Sequence, residues 1–201
     1  MMATWCPTAE KILTKAEIKA VLDDLRRKSR RSPNTRMNLT LFRLATCCGL
    51  RASELTRLTL DNVRVGTDSP KIRVPKTIAK GKKARTVPVI DSGTLDDLRT
   101  WKALREAHGA TGSDLFLVSR KGTAIDRFNA RRRFKACCRV LGSERVGEIT
   151  IHFGRHSFIS HALHAGRSVV EVQRAAGHSS LGVTTQYAHL VAESQIADIF
   201  G

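Results

Sequence analysis

Lys71-Ile72-Arg73-Val74-Pro75 and Ala84-Arg85-Thr86-Val87-Pro88-Val89-Ile90 alternate apolar and polar residues with the period of two that a half-buried strand requires. Between them runs Lys76-Thr-Ile-Ala-Lys80-Gly81-Lys82-Lys83, a basic connection with one glycine. The pattern predicts a small antiparallel hairpin or a three-stranded sheet. On either side of it the apolar residues follow the helical period instead. Upstream, a helix is expected from near Thr14, where Thr14-Lys15-Ala16-Glu17 forms a capping box and Ile18, Val21, Leu22 and Leu25 share one face. The basic run Arg26-Arg27-Lys28-Ser29-Arg30-Arg31 closes it. A second helix passes through Met37, Leu39, Leu41, Phe42, Leu44 and Ala45 and stops at Gly49, and a shorter one runs from Ser53 to about Leu58. Downstream, a helix is expected from Gly93 to about His108. An apolar run at Asp114–Val118, a turn at Arg120-Lys121-Gly122 and a basic helix through Phe128, Arg131, Phe134 and Val140 follow. The last third reads as helices over Arg155–Ala165, Val169 to about Ala176, Gly182 to about Val191 and Glu193–Phe200. The expected fold is therefore mainly α with one small antiparallel β-sheet, an α+β domain over 14–201 preceded by an N-terminal arm over 1–13.

The whole chain has 201 residues, of which 41% are hydrophobic and 26% charged, the composition of a globular domain rather than a disordered tail. Lys and Arg outnumber Asp and Glu by 35 to 18, a net charge of +17. Such an excess calls for a polyanionic partner, with nucleic acid first and an anionic membrane surface second. No apolar run approaches the roughly 20 residues that span a bilayer. The opening MMATWCPTAEKILTKAE lacks the apolar core of a secretory signal. The chain thus reads as cytoplasmic. The five cysteines are Cys6, the pair Cys47-Cys48 and the pair Cys137-Cys138. None forms the CxxC spacing of a zinc site, and the pairs lie in apolar-periodic stretches, so they read as reduced core residues.

A single tyrosine occurs, Tyr187, within Gly177-His178-Ser-Ser-Leu-Gly-Val-Thr184-Thr-Gln-Tyr187-Ala-His189. Two histidines and a Gly-His-Ser turn within ten positions make it a candidate nucleophile, although a lone tyrosine is more often a core or surface residue. Other positions are as ambiguous when taken singly. Arg51 after a glycine suits a helix C-terminal cation. Lys80, Lys82 and Lys83 suit a solvated turn, His152 suits a core, and Gly177-His178 suits one helix end and the next helix start.

Four segments together resemble the tyrosine recombinases, the phage integrase family. Cys48-Gly49-Leu50-Arg51-Ala52-Ser53-Glu54-Leu55 is similar to that family's first arginine box. Ala79-Lys80-Gly81 with Arg85-Thr86-Val87-Pro88 resembles its lysine-bearing β-hairpin. His152-Phe153-Gly154-Arg155 resembles its HxxR box, and Gly177-His178-Ser179-Ser180 with Thr184-Thr185-Gln186-Tyr187 its second histidine and tyrosine nucleophile. All four follow in the family's order, over about residues 14 to 192.

The resemblance implies DNA strand cleavage and rejoining through a 3′-phosphotyrosyl intermediate, as in site-specific recombination and integration, without metal or other cofactor. It implies Tyr187 as nucleophile and Arg51 and Arg155 as the clamp on the non-bridging oxygens, a task suited to planar, permanently charged guanidinium. Lys80 is then the general acid, set among Lys76, Lys82, Lys83 and Arg85. His152 assists proton transfer at Tyr187, His178 hydrogen-bonds the phosphate, and Glu54 orients the arginines and histidines. Lys82, Lys83, Arg85, Arg131 and Arg132 are expected to contact double-stranded DNA. His156, His161 and His164 read as ordinary helix residues. The segment 193–200 is expected to be an amphipathic helix able to support self-association on DNA. Two other functions fit the same residues: relaxation of DNA in the manner of a type IB topoisomerase, and DNA binding without catalysis.

Two departures stand out. Gly154 replaces the large apolar residue that usually precedes the second arginine. Glycine costs roughly 1 kcal/mol in a helix interior, so an unusual local backbone is expected there. Family members also usually carry a helical core-binding domain ahead of the catalytic one. Here about 13 residues precede the first helix, which implies either a minimal recombinase or a catalytic fragment.

Overall fold

Residues 8–178 and 180–187 are described by the computed structural model. Helix α1, Lys15–Ser29, starts where the capping box predicts: the Thr14 hydroxyl accepts from Glu17 N, and the Glu17 carboxylate accepts from Thr14 N. Helix α2, Pro33–Thr46, has Pro33 in its first turn and Ser32 as its cap. Its residues from Leu39 to Thr46 are all buried, so α2 is the central helix. Helix α3, Ala52–Leu55, is a single turn.

The sheet comes next, with β1 (Val63–Arg64), β2 (Lys71–Val74) and β3 (Arg85–Pro88) antiparallel in that order. Val63 faces Ile72 and Ile72 faces Val87, so three fully buried side chains form one row across the inner face. Helix α4, Ser92–Ala107, is capped by Asp91 and tied to α2 through the buried Arg43, which reaches Asp97 at 2.8 Å and Asp91 at 3.1 Å. Trp101 of α4 donates its indole N–H to the Phe116 carbonyl at 2.7 Å, seating the apolar 114–118 run against the helix.

Helix α5, Arg127–Cys137, turns only Ala130, Phe134 and Cys137 inward, and Phe134 stacks on Phe42 of α2 at 5.3 Å between ring centroids. A short helix α6, Ser143–Glu148, follows; the sequence patterning does not mark it. Helix α7, Ile151–His164, crosses α2; α8 is Val169–Ala176 and α9 is Leu181–Thr185. Cys48, Cys137 and Cys138 are buried free thiols and Cys47 is half-buried; Cys6 lies outside the described residues, as does 193–200. No described helix is long and apolar enough to cross a membrane.

Two expectations change. The arm is folded in where it meets the domain: Leu13 is fully buried, its N–H donates to the Ser157 hydroxyl at 2.8 Å, and its carbonyl bonds His161 of α7. Gly154 does not distort its helix, which runs unbroken from Ile151 to His164. A Cβ at Gly154 would lie 2.9 Å from Thr46 Oγ1, 3.1 Å from the Ala45 carbonyl carbon and 3.1 Å from Phe134. The glycine is there for closeness to α2, and that closeness sets α7 beside the Gly49–Arg51 turn.

Candidate active site

Past the end of α2, Gly49 adopts φ = +65°, a conformation that suits glycine, and a Cβ there would collide with the Phe158 ring of α7. This turn points the Gly49 carbonyl at α7, where it accepts from Nη1 of Arg155 at 2.7 Å. The other end of the Arg155 guanidinium donates to the Ala176 carbonyl at 2.5 Å, at the end of α8. Arg155 thereby pins together the ends of α2 and α8 and is buried. Burial, then the charges of Arg51 and Arg85, push it down to about 9, which leaves it protonated at neutral pH.

Arg51 caps α3. Its backbone N–H donates to Glu54 Oε2 at 2.8 Å, and its guanidinium reaches Glu54 Oε1 at 3.3 Å and the Gly177 carbonyl at 3.1 Å. Glu54 is fully buried. Burial alone would raise its carboxyl, but Arg85 and Arg51 outweigh that and hold it below the usual carboxylate range. Arg85 departs from its expected role. Its side chain is only 6% exposed and forks onto Glu54 with two bonds of 2.7 Å, while its Nε donates to the Ala175 carbonyl at 2.8 Å. It faces inward and lies in an internal ion pair.

Helix α8 ends at Gly177, with φ = +66°, in a left-handed cap. His178 follows, and its Nδ1 pairs with the Thr184 hydroxyl of α9 at 2.8 Å. Burial first, then Arg155, Arg51 and Arg85, push this imidazole down to about 3, so it is neutral. Opposite it the loop 75–84 carries Lys80. Ile78 anchors the loop by burial, Gly81 and Lys82 turn it with positive φ, and Lys80, Lys82 and Lys83 stand exposed. Lys80, Arg85 and His178 line one groove of about 520 Å³. His152, in the first turn of α7, is exposed. Partial desolvation, then the charges of Arg131, Arg155, Lys80 and Arg51, lower its pKa. Arg131 and Arg132 lie exposed on α5.

Tyr187 is 2% exposed. Burial pushes its phenol up to about 12, opposed by Arg155. Its hydroxyl meets Nδ1 of His156 at 2.5 Å; no bond to His152 is recorded among the described residues. His156, which the sequence reads as an ordinary helix residue, is therefore the histidine in contact with the tyrosine hydroxyl. Its position was available: 152, 155 and 156 fall on one face of a helix. Burial, then His152 and Arg155, push His156 down to about 4, leaving it neutral and able to accept a proton. His161 bonds the Leu13 carbonyl, a structural role. Among the described residues no group of three or more His, Cys, Asp or Glu side chains is gathered to hold a metal.

Arg51, Glu54, Arg85, Arg155, His178 and Tyr187 come from segments up to 136 positions apart and converge on the ends of α2 and α8. Solved structures share this fold: XerH recombinase bound to a palindromic difH substrate, a post-cleavage complex, superposes with a TM-score of 0.74 at 21% identity, covering 96% of this chain and 54% of that one. Tyrosine recombinase XerD of Pseudomonas aeruginosa is 33% identical over 167 residues, 80% of this chain and 51% of that protein. Tyrosine recombinase XerC of Pseudomonas putida is 31% identical over 156 residues, 77% of this chain and 48% of that protein. The chain spans about half the length of the curated relatives it matches. With the phage integrase family model matching residues 11–194, and with the arginines, histidines and tyrosine of its four boxes drawn to one place, the chain belongs to the phage integrase family.

Proposed function

We propose that this chain breaks and reseals double-stranded DNA, one strand at a time, through a covalent 3′-phosphotyrosyl link at Tyr187. The observation that carries this reading is the convergence of Arg51, Arg155 and His178 beside the only tyrosine of the chain. Tyr187 Oη attacks the scissile phosphorus as the bond to the 5′ oxygen breaks, and Lys80 protonates that oxygen as it leaves. Arg51 and Arg155 hold the non-bridging oxygens. Pairing of His178 Nδ1 with Thr184 leaves its Nε2 edge for a phosphate oxygen. The tyrosine proton passes to His156 Nδ1, which already meets it. The phenol holds its proton far more tightly than the imidazole accepts one, so transfer accompanies attack rather than preceding it. A bound phosphodiester also offsets the charge of Arg155 and makes His156 more basic. His152 stands on the open side with Lys80 and Arg131 and serves the phosphate there. The phosphotyrosyl link retains the energy of the phosphodiester, so a 5′-hydroxyl reverses the step.

Lys82, Lys83, Arg131 and Arg132 are exposed and are proposed to contact the DNA backbone. Recombination between two sites, self-association through 193–200 and a location with the nucleoid or a mobile element are part of the same proposal. XerH, which shares the fold, was solved bound to DNA after cleavage. The test is a suicide DNA duplex whose nick lets the 5′-hydroxyl fragment diffuse away. A denaturant-stable protein–DNA adduct is expected from the unaltered chain with EDTA present, and none from Tyr187→Phe. No adduct from a chain that binds the duplex, or loss of adduct on adding EDTA, overturns the mechanism. DNA affinity should fall with salt at a log–log slope of about −0.9 per phosphate contact.

A further inference from the structure

Arg85 presents a problem that the cleavage scheme leaves unsolved. Two guanidinium groups crowd one buried carboxylate, and they do not share it equally. Arg85 holds Glu54 with two bonds of 2.7 Å, whereas the guanidinium of Arg51 reaches it at 3.3 Å. The second guanidinium bond of Arg51 goes to the Gly177 carbonyl, which carries no formal charge. A carboxylate with a single cation beside it would draw that cation close and cancel it, because opposite charges attract most strongly where water is excluded. Arg85 occupies the carboxylate and so leaves the charge of Arg51 largely uncancelled.

We infer that Arg85 is a positioning residue for strand cleavage: by engaging Glu54 it keeps Arg51 from collapsing onto that carboxylate and leaves Arg51 for the scissile phosphate. The geometry supports a dedicated place for this side chain. All three nitrogens of the Arg85 guanidinium have protein acceptors, two on Glu54 and one on the Ala175 carbonyl, so its fork is committed inside the protein. Gly177 leaves it room, since a Cβ there would lie 2.7 Å from Arg85 Cδ. On β3, Arg85 sits opposite Val74, and its place two residues before Val87 puts it on the buried face of the sheet. Lysine cannot replace it, because an ammonium lacks the planar fork that fills both carboxylate oxygens and the carbonyl together.

The inference rests on the proposed cleavage activity, and the experiment separates the two. Adduct formation on suicide DNA is followed for the unaltered chain, Arg85→Lys, and the double variant Glu54→Gln with Arg85→Gln, with DNA affinity measured across a salt series. The unaltered chain yields adduct; if it does not, the cleavage proposal fails and Arg85 is not at issue. Arg85→Lys is expected to bind with an unchanged salt slope and to cleave on the order of 10- to 100-fold more slowly, a loss of transition-state stabilisation. Replacing the bridging 5′ oxygen with sulfur should not restore it, because the fault lies in the clamp. The double variant removes the carboxylate that captures Arg51 and should cleave faster than Arg85→Lys. Its own DNA binding reports that it folds. Cleavage by Arg85→Lys at the unaltered rate, a salt slope shallower by about 0.9, or a double variant no faster than Arg85→Lys would each overturn the inference.

Discussion

Tyr187 Oη and His156 Nδ1 stand 2.5 Å apart in a pocket that leaves the tyrosine 2% exposed. The proposed nucleophile therefore rests against a proton acceptor, away from solvent, and α7 supplies both that acceptor and Arg155. His156→Ala should bind DNA normally and form adduct about 10²–10⁴-fold more slowly, the usual range for losing a positioned acid or base. The pH profile carries the sharper reading. Adduct formation by His156→Ala should keep climbing with pH as solvent hydroxide takes over, whereas the unaltered chain levels off once its histidine is neutral. Parallel profiles for the two proteins would remove His156 from proton transfer.

Lys80 can be tested by changing the leaving group. Lys80→Ala keeps Tyr187 and both arginines but removes the proposed proton donor, so ordinary DNA should be cleaved at least 10²-fold more slowly. A thiol has a pKa of roughly 8.5 and leaves without help, so a bridging 5′ sulfur should bring Lys80→Ala back towards the unaltered rate. Arg51→Ala and Arg155→Ala should stay slow on that substrate. Recovery in Lys82→Ala or Lys83→Ala instead would move the acid along the exposed loop.

Gly154 offers a stability test in which two effects oppose each other. Alanine gains roughly 1 kcal/mol over glycine in a helix interior. Its Cβ would press on Thr46 Oγ1, the Ala45 backbone and Phe134 at 2.9–3.1 Å, and overpacking of this kind costs about 1–3 kcal/mol. Backbone cannot yield as a flexible side chain does, so Gly154→Ala should lower the denaturation midpoint. Thr46 Oγ1 is buried without a hydrogen-bond partner, so adding Thr46→Ala should restore part of the loss. A rise in midpoint for Gly154→Ala alone would show that α2 and α7 have slack.

Stability should also fall in mild acid. Burial and nearby positive charge hold His156 at about 4 and His178 at about 3, below the ordinary histidine value near 6.5. Between those values the unfolded chain binds protons that the folded chain refuses, so stability is full above pH ~6.5 and declines as pH drops towards 4. Glu54 adds its own loss only at lower pH, because its folded carboxyl titrates below the usual carboxylate range. Urea midpoints measured from pH 7.5 to 4.5 should show this decline, and His156→Asn should flatten it.

Much of the architecture is encoded in local chemistry and was open to reading. Thr14 and Glu17 announce α1, and Val169 to Ala176 matches α8 because an apolar face and a glycine stop bracket it. The sequence places the α7 start at Arg155 rather than Ile151, because Gly154 inside a helix looks like a boundary until its neighbour α2 is seen. Helix α6 escaped because six residues with one apolar side chain, Val146, have no period to detect. In the proposed site, Arg51, Lys80, His152, Arg155, His178 and Tyr187 are legible from motif order. What Arg85 does is not, although it shares strand parity with the buried Val87 and Val89 and so has to point inward. A lone arginine at such a position looks like a surface charge when its acceptor, Glu54, lies 31 residues away.

Arg155 is held by the carbonyls of Gly49 and Ala176, and these acceptors belong to the peptide chain rather than to any side chain. They do not titrate, and no substitution deletes them. The clamp is therefore indifferent to side-chain chemistry at its acceptors but vulnerable to anything that reroutes the polypeptide, including a side chain added at Gly49. Scanning position 49 for lost contacts would misread the effect, since damage there comes through the angle of a turn and a clash with the Phe158 ring. The permissible variation around this guanidinium is set by torsion, above all by the left-handed bend at Gly49.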